Sequence, residues 1–486
     1  MELSTLERLD SFPYRHRARE LMTTPLVTVE AGRSVAEAAA LMTDRRVGSV
    51  VVLDSEGRPA GILTEHDILR LVVRGPNHLV RPVSQEMSRP VHGIDADALI
   101  YRALARMTRL GVRHLPVLDE AGRPLGMLTA GAMLRQRASF ALTLADEIEQ
   151  ADHGAALRAA HEKLPALAIA LRREDVPATQ VSAVIAGVLC DLTERAGRLA
   201  LAAMQKEGQG DAPARWCLLV LGSAGRGESL LAADQDNALV HDGDDESDAW
   251  FAAFGQRVNA LLDAGGVPLC KGGVMAGNPA FRKSLPAWRT TIESWVSRPR
   301  PEALMNVDIF YDFVAVLGDR SLAHELRRQA TNAAAGSPLF LRLLAAADDS
   351  PGSAFDFLGR LRTTRGRIDL KRYGLFPVVA AARVIGLAWR STATATDVRL
   401  AEASAKGALS AETVSELTAA RAAVVEAILD QQLADIAEGR APANQVEPRR
   451  LARPAIKRLR QALGTISAAP AAVHDALSSR APERLA

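Results

Sequence analysis

An internal repeat in the first third of the chain constrains its fold more than any other feature. Met22-Thr-Thr-Pro25 recurs as Met87-Ser-Arg-Pro90, an offset of 65 residues (87 − 22). Three further blocks recur at the same offset: Leu53-Asp54 with Leu118-Asp119, Gly57-Arg58-Pro59 with Gly122-Arg123-Pro124, and Gly61-Ile62-Leu63-Thr64 with Gly126-Met127-Leu128-Thr129. A constant register over four blocks predicts two copies of one structural unit.

The element order in each copy is β-α-β-β-α in outline. A helical stretch (34–44 and 98–110) precedes a β-branched run (50–53 and 115–118), a Gly-Arg-Pro turn, and a short strand that leads into a helix. Over about residues 17 to 138 the copies resemble cystathionine-β-synthase-type (CBS) domains. The resemblance implies a packed pair that binds an adenosine ligand such as ATP, ADP or AMP, and a homodimer formed through the pair.

In the CBS family a Thr or Ser, followed three residues later by Asp, holds the phosphate and ribose of the ligand. Thr64 and Asp67 match this pattern in the first copy, whereas the second copy has Thr129 but Ala132 in place of the Asp. The residues that the resemblance assigns to the ligand are Thr64, Asp67, His114, Pro116 and Thr129. We therefore expect one nucleotide per pair. Two alternatives stay open: Asp67 is only a helix cap, or the pair only dimerises.

The segment between about residues 140 and 210 is rich in Ala, Leu, Glu and Arg, which predicts helices. Its apolar residues follow helical spacing along one face. They are Val181, Val184, Ile185, Val188, Leu189 and Leu192. We interpret this segment as a helical connector that transmits the state of the repeat pair to the domain behind it.

Residues 216–240 are the most informative part of the chain. An apolar strand (216–221) is followed by a Gly222-Ser223 turn, a short helical stretch and a second strand (234–240). Such a strand-turn-helix arrangement brings a small, flexible turn close to the start of the second strand. That start carries two aspartates.

Asp234 and Asp236 occupy positions i and i+2, which point to the same face of an extended segment, while Gln235 points away. Carboxylate oxygens are the ligands that Mg²⁺ prefers, and Mg²⁺ often shares them with substrate phosphates. Gly222 allows the backbone to approach a triphosphate, and the Ser223 hydroxyl can donate to its oxygens. The pattern predicts a Mg²⁺-nucleotide site.

The pattern Gly-Ser-x-x-Arg-x-Glu followed by Asp-x-Asp resembles nucleotidyltransferases of the DNA-polymerase-β type. The fuller string GSAGRGE…DQDNALV is similar to the uridylyltransferase of the nitrogen regulator PII and to a related CBS-linked family. The resemblance assigns catalysis and Mg²⁺ binding to Asp234 and Asp236, and the nucleotide phosphates to Gly222, Ser223, Arg226 and Glu228. Alternatively, Arg226 pairs with Glu228. The implied reaction transfers a nucleoside monophosphate from a nucleoside triphosphate to the hydroxyl of a small molecule or of a protein such as a PII-like regulator.

Active relatives supply a third carboxylate from a later strand, and residues 267–275 contain no acid. Asp308 and Asp312 could take this role, or they could form a structural polar contact. Two hypotheses from different classes follow: a CBS-regulated, Mg²⁺-dependent nucleotidyltransferase, or a non-catalytic signal transduction protein that senses adenine nucleotides and carries a degenerate transferase domain. RNA nucleotide addition ranks last, because few aromatics accompany the basic residues.

Composition excludes several other classes of protein. The net charge is +2, with 48% hydrophobic and 24% charged residues, which is typical of a folded chain and argues against dedicated nucleic-acid or membrane binding. The charged amino terminus lacks the pattern of a secretory signal, and no apolar run approaches the ~18 residues of a membrane span. The three cysteines show no disulfide or zinc spacing. We expect a cytoplasmic protein.

Together these patterns predict a multidomain α/β and α protein, with a tandem CBS pair, a helical connector, a polymerase-β-like domain and a carboxy-terminal helical bundle that binds the substrate. The expected boundaries are 1–16 (amino-terminal segment), 17–75 and 82–138 (CBS domains), 140–210 (connector), 211–320 (nucleotidyltransferase-like domain), 321–465 (helical domain) and 466–486 (tail).

Overall fold

The structure is a computed structural model that describes residues 16–129, 142–298, 307–348 and 353–479. The chain divides into two compact units, residues 1–146 and 147–486. Both units contain helices and strands, and the carboxy-terminal part is helical, which confirms the predicted mixed, multidomain fold class. Within the described ranges, we find no helix with the length and apolar character that crossing a membrane requires.

The first unit contains two three-stranded sheets of identical topology, each with one parallel and one antiparallel pair. The strands are β1 (Thr28–Glu30), β2 (Ser49–Leu53), β3 (Pro59–Thr64), β4 (Ile94–Asp95), β5 (His114–Leu118) and β6 (Pro124–Thr129). The helices are α1 (Ala18–Leu21), α2 (Val35–Arg45), α3 (Glu65–Arg74), α4 (Val83–Glu86) and α5 (Ile100–Leu110). The predicted repeat is thus confirmed as a structural repeat. The last helix predicted for the second copy lies outside the described residues.

Each copy begins with a segment that packs on the other copy. The backbone of Thr23 pairs with Met127, with N–O distances of 2.8 and 3.1 Å, and the backbone of Ser88 pairs with Ile62 at 2.9 and 3.1 Å. Gly61 and Gly126 lie beside the methionines that precede these two segments. The leading segment of each copy thus pairs with a strand of the other copy, and the two pairs of residues are related by the offset of 65. The two copies therefore form one interleaved body.

The second unit is built around a four-stranded sheet with the order β10-β7-β8-β9. Its strands are β7 (Trp216–Val220), β8 (Asn237–His241), β9 (Arg282–Ser284) and β10 (Val314–Gly318), and a separate two-stranded ladder pairs β11 (Ile368–Asp369) with β12 (Gln445–Val446). β7 is antiparallel to both β8 and β10, whereas β8 and β9 are parallel. Every residue of β7 and β8 is buried, which accounts for their apolar sequences.

Helices pack around this sheet and precede and follow it in the chain, and the first of them spans the boundary between the two units. They are α6 (Leu142–Gln150), α7 (Gly154–His161), α8 (Leu164–Arg173), α9 (Ala178–Lys206), α10 (Gly222–Arg226), α11 (Asp248–Ala264), α12 (Leu285–Ser297), α13 (Arg320–Ala335), α14 (Pro338–Asp348), α15 (Phe376–Ala388), α16 (Thr396–Ala405), α17 (Ala411–Ala437), α18 (Arg453–Ile466) and α19 (Ala469–Ser479). The six apolar residues of the predicted connector helix are all buried along α9. Residues 378–388 of α15 are also all buried, so this helix lies at the centre of the bundle.

One predicted strand boundary is wrong. The second strand of the informative segment begins at Asn237 and not at residue 234. The amides of Gln235 and Asn237 donate to the carbonyls of Pro268 and Val274, at 3.0 Å each, and these acceptors lie outside the regular ladder. Tertiary contacts with the 267–275 segment therefore hold the two aspartates in an extended stretch just before β8.

Candidate functional site

A cavity of about 230 Å³ lies in the second unit, beside the end of β7 and the start of β8. All the residues that the sequence assigned to the transferase site line it: Gly222, Ser223, Arg226, Glu228, Asp234 and Asp236. The facing wall comes from the helical region and includes Lys371, Phe376, Val379 and Arg383. The site therefore joins the sheet to the carboxy-terminal helices.

Gly222 begins the turn after β7 and faces the second aspartate. Its φ is +60°, and a Cβ atom built on it would lie 2.5 Å from Oδ2 of Asp236. Any larger residue would be strained there and would also collide with the carboxylate. The Ser223 hydroxyl, one residue further, lies 2.8 Å from the Ser229 hydroxyl. The glycine thus allows the Asp236 carboxylate to pack directly against the backbone of the turn.

Gln235 lies on the opposite side of the extended stretch from the two aspartates. Its buried amide donates to the carbonyls of Asn259 and Val267, at 3.0 Å each, and accepts from Nδ2 of Asn259 at 2.9 Å. This network anchors the stretch from behind, so Asp234 and Asp236 face the cavity.

Cys270 completes a cluster with the two aspartates, since the three potential ligand atoms all lie within 4.8 Å of one another. Burial and the neighbouring charge of Asp234 raise the pKa of Asp236 to about 6. Burial and the charge of Asp236 raise the pKa of the Cys270 thiol to about 11. A bound divalent cation would relieve the repulsion between the two carboxylates, and two carboxylates that line one cavity suit such an ion. The sequence gives no signal for Cys270, because a lone cysteine in a segment without acids has no metal-ligand spacing.

Arg226 is a buried ion-pair partner in the structure. Its Nε donates to Oε2 of Glu228 at 3.0 Å, and its Nη1 donates to Oδ2 of Asp312 at 2.7 Å. Burial lowers the pKa of Arg226, but the charges of Asp312 and Glu228 outweigh this effect and raise it. The sequence left two roles open for Arg226, phosphate binding and pairing with Glu228. The structure shows the pair with Glu228.

Asp312 is the centre of a larger buried network. Its side chain is fully buried, and besides Arg226 it accepts from Arg383 at 2.6 Å and from Arg399 at 2.6 Å. Asp308, the other suggested third carboxylate, forms an ion pair with Arg383. Both acids are thus engaged by arginines, in the structural polar contact that the sequence left as an alternative.

Glu228 connects the sheet to the helical region. It accepts from the backbone amide of Thr396 at 2.7 Å and from the Thr396 hydroxyl at 3.0 Å, and it lies 3.7 Å from Arg421. Burial raises the pKa of Glu228, but the cations of Arg226 and Arg421 hold it below its ordinary value. This carboxylate therefore fixes Arg226 and the start of α16 in one arrangement.

Gly225 is a sensitive point of this arrangement. A Cβ atom there would lie 1.9 Å from the carbonyl oxygen of Asp312 and 2.7 Å from that of Val220, both rigid backbone atoms. We expect Gly225→Ala to lower the free energy of unfolding by about 1 to 3 kcal/mol, because the helix must move off the strand. Gly464→Ala is the matched control: nothing lies within 4 Å of it, and it should stabilise by about 0.5 to 1 kcal/mol.

Tryptophan fluorescence during urea unfolding measures both variants, since all five tryptophans lie between residues 216 and 389 of the second unit. Equal midpoints for Gly225→Ala and the wild type would contradict the close packing of α10 on the Asp312 backbone.

The residues assigned to the adenosine ligand lie in the first unit. Thr64 and Asp67 form a capping box at the start of α3, in which the buried Asp67 carboxylate accepts from the Thr64 amide at 3.0 Å and the Thr64 hydroxyl at 2.7 Å. Asp67 also accepts from Arg70 at 2.7 Å and from the Ser88 hydroxyl at 3.3 Å. The cap suggested as an alternative is therefore present.

The other assigned residues of this unit lie on β5 and β6 of the second copy. His114 pairs with Thr129 across the sheet, and its ring lies beside Gly48 and Glu65 of the first copy. Burial lowers the pKa of His114. Pro116 is buried in the same strand. Ala132 lies outside the described residues.

Comparison with sequence families identifies four regions. Residues 18–74 and 80–139 match the CBS domain. Residues 162–302 match the family described as "Putative nucleotidyltransferase DUF294", and residues 338–476 match its partner, "Putative nucleotidyltransferase substrate binding domain".

Individual relatives match about a quarter of the chain. A 17.7 kDa protein of Acidianus ambivalens is 32% identical over 119 residues, which are 24% of this chain and 71% of that protein. The CBS domain-containing protein YhcV of Bacillus subtilis is 32% identical over 130 residues, 26% of this chain and 91% of YhcV. The A-adding tRNA nucleotidyltransferase of Aquifex aeolicus is 26% identical over 113 residues, 23% of this chain but 13% of that enzyme.

Among solved structures, the CBS domain protein PAE2072 of Pyrobaculum aerophilum, in complex with AMP, is 25% identical and covers 27% of this chain and 98% of its own, with a TM-score of 0.24.

Proposed function

The chain belongs to the CBS-domain proteins and carries both domains of the DUF294 family behind its CBS pair, and from this premise we propose that it is a CBS-regulated nucleotidyltransferase. It transfers a nucleoside monophosphate from a nucleoside triphosphate to a hydroxyl group of a small molecule or of a protein such as a PII-like regulator. The observation that carries the proposal is the convergence of Asp234, Asp236 and the Gly222 turn on one cavity.

The chain's own residues account for binding and orientation. Gly222 and Ser223 line the cavity beside Asp236, and the Ser223 hydroxyl can donate to a phosphate bound there. Lys371 lines the same cavity, and its charge acts on Asp236, so it can neutralise part of the triphosphate. Asp234 and Asp236 would hold Mg²⁺, which supplies charge neutralisation at the transferring phosphate.

The proposed reaction breaks the bond between the α-phosphorus and the bridging oxygen to the β-phosphate. The acceptor oxygen bonds to the α-phosphorus, pyrophosphate leaves, and the hydroxyl proton passes to solvent.

A product assay tests the proposal without a known acceptor, because water is itself a hydroxyl acceptor. The purified chain is incubated with Mg²⁺ and each of the four nucleoside triphosphates, and the products are separated. Attack at the α-phosphorus yields the nucleoside monophosphate and pyrophosphate. Formation of the diphosphate and inorganic phosphate, in amounts that follow the protein, would instead indicate attack at the γ-phosphorus and contradict the assignment.

For the first unit we propose one adenosine ligand per CBS pair, with Asp67 accepting the ribose hydroxyls. Asp67→Ala should weaken AMP binding by about tenfold or more, since hydrogen bonds to a charged group contribute about 1.5 to 3 kcal/mol. The exposed Asp44, on the same copy, gives a control, Asp44→Ala, with the same loss of charge. Calorimetric titration of AMP measures both variants.

Equal AMP affinity of the two variants would contradict a contact between Asp67 and AMP and would show that Asp67 acts only as a helix cap. Circular dichroism separates loss of the ligand contact from loss of the cap, because the capping box also stabilises α3.

We also propose a homodimer through the CBS pair. Large apolar side chains on α3 support it: Leu69 is 65% exposed, Val72 52% and Val73 88%. Burial of such a face against a second copy would remove this apolar area from water.

A second function, a non-catalytic sensor of adenine nucleotides, is favoured by one observation. Cys270 occupies the position beside the aspartates, while Asp308 and Asp312 are engaged by arginines. A site with only two carboxylates could bind a nucleotide without turnover. Binding without any monophosphate product, for all four triphosphates and with every divalent ion tried, would support the sensor.

A further inference from the structure

Cys270 is close enough to Asp234 and Asp236 to share one ion with them. The three ligand atoms lie within 4.8 Å of one another, and this is the one cluster of three such side chains found among the described residues. The three side chains therefore converge on one point, at which the two aspartates also line the cavity.

Among the described residues, the two acids suggested as a third carboxylate, Asp308 and Asp312, are both held by arginines. Asp312 is bonded to Arg226, Arg383 and Arg399, and Asp308 pairs with Arg383. Moving either acid towards the pair would leave buried guanidinium groups without their partners, which is costly. The third protein ligand of an ion at the aspartates is thus Cys270.

Two oxygen ligands and one sulfur ligand favour a different ion from three oxygens. Mg²⁺ takes oxygen ligands almost exclusively, whereas thiolates select thiophilic ions such as Zn²⁺. Three protein ligands with space for a fourth from solvent or substrate is a common arrangement for Zn²⁺ outside structural sites. The cavity that Asp234 and Asp236 line provides that space.

We infer that Asp234, Asp236 and Cys270 form a protein-only site for a thiophilic divalent cation of the Zn²⁺ class. The Mg²⁺ that accompanies the triphosphate would bind the remaining oxygens of the same two carboxylates, as in two-metal phosphoryl-transfer sites. On binding, the thiol sulfur bonds to the ion and its proton passes to solvent, so the charge balances. The inference rests on the proposed function, because it concerns the same carboxylate pair.

Cobalt(II) absorption tests the inference directly. Co²⁺ occupies Zn²⁺-type sites, and a Co²⁺–thiolate bond gives a charge-transfer band in the near ultraviolet that oxygen ligands do not give. Co²⁺ is titrated into the full chain without nucleotide. We expect a saturable band in the wild type, and Zn²⁺ should displace it while Mg²⁺ in large excess should not.

Three variants locate the ligand. Cys270→Ser should lose the band and weaken Co²⁺ binding by at least about tenfold, since even outer contacts of metal ligands contribute that much. Asp234→Asn with Asp236→Asn should lose the band although the thiol remains. Cys190→Ser, which removes another partly buried thiol, should keep it.

Cys270→Asp keeps the inference falsifiable if Cys270→Ser unfolds. It replaces the thiol by a third carboxylate and should lose the band while binding Mg²⁺ more tightly than the wild type does. A wild type without a thiolate band, or a band that survives in Cys270→Ser, would overturn the inference. Mg²⁺-dependent triphosphate binding is measured in parallel. Its presence or absence tests the proposed function independently of the cobalt result.

Discussion

Replacing Asp234 and Asp236 together by Asn is expected to abolish divalent-dependent turnover of nucleoside triphosphates. The substitution keeps the shape of both side chains but removes both negative charges that face the Gly222 turn. Metal-ion stabilisation of a transferring phosphate contributes several kcal/mol, which corresponds to a loss of about a thousandfold or more in rate. Release of pyrophosphate measures the effect.

A matched control removes two charges from a nearby exposed loop. Asp245→Asn with Glu246→Gln changes the net charge by the same amount at fully solvated positions and should keep wild-type turnover. Because the Asn pair also relieves the repulsion that raises the pKa of Asp236, the protein should not lose stability. Full turnover in the double Asn variant would remove both aspartates from the mechanism.

Asp312→Asn is expected to destabilise the second unit strongly. Three arginines, Arg226, Arg383 and Arg399, donate to this fully buried carboxylate. In the variant, Arg226 can still pair with Glu228, and Arg383 can still pair with Asp308. Arg399, however, loses the one carboxylate that it contacts among the described residues. Breaking a buried pair by removing one partner costs about 3 to 5 kcal/mol. Urea unfolding followed by tryptophan fluorescence measures it.

Asp242→Asn gives the comparison for a solvated pair. Asp242 pairs with Arg215 on the surface, where the arginine is 63% exposed, and its loss should change the midpoint little. If Asp312→Asn unfolds at the same midpoint as Asp242→Asn, the arginine network does not hold the helices on the sheet. Loss of nucleotide binding in Asp312→Asn should accompany the loss of stability, because the network also fixes Arg226.

The fold of both units could be predicted where the signal is local or periodic. The repeat at an offset of 65 predicted the two copies, and helical spacing predicted the buried face of α9. The Gly-Ser turn and the two aspartates at alternating positions predicted one shared site, and these residues line one cavity. In each case the sequence itself carries a repeated, periodic or motif-like pattern that points to the structure.

Contacts between distant residues could not be predicted in the same way. Asp312 meets Arg226 and Arg399 across 86 and 87 residues, and no spacing rule connects such positions. Cys270 could not be predicted as part of the site, because a lone cysteine carries no pattern. Only the fold brings it close to the two aspartates. The start of β8 was misplaced because tertiary hydrogen bonds from Gln235 override the local strand pattern.

The chemistry of the site, a divalent ion on Asp234 and Asp236 that holds a triphosphate, is tested most directly by calorimetry. ATP, UTP and AMP are titrated with and without Mg²⁺ into the wild type, Asp67→Ala and the Asp234→Asn/Asp236→Asn double variant. We predict triphosphate binding that requires Mg²⁺ and is lost only in the double variant. Nucleotide binding that is independent of Mg²⁺ and is lost only in Asp67→Ala would contradict the account and leave a CBS sensor with an inactive transferase fold.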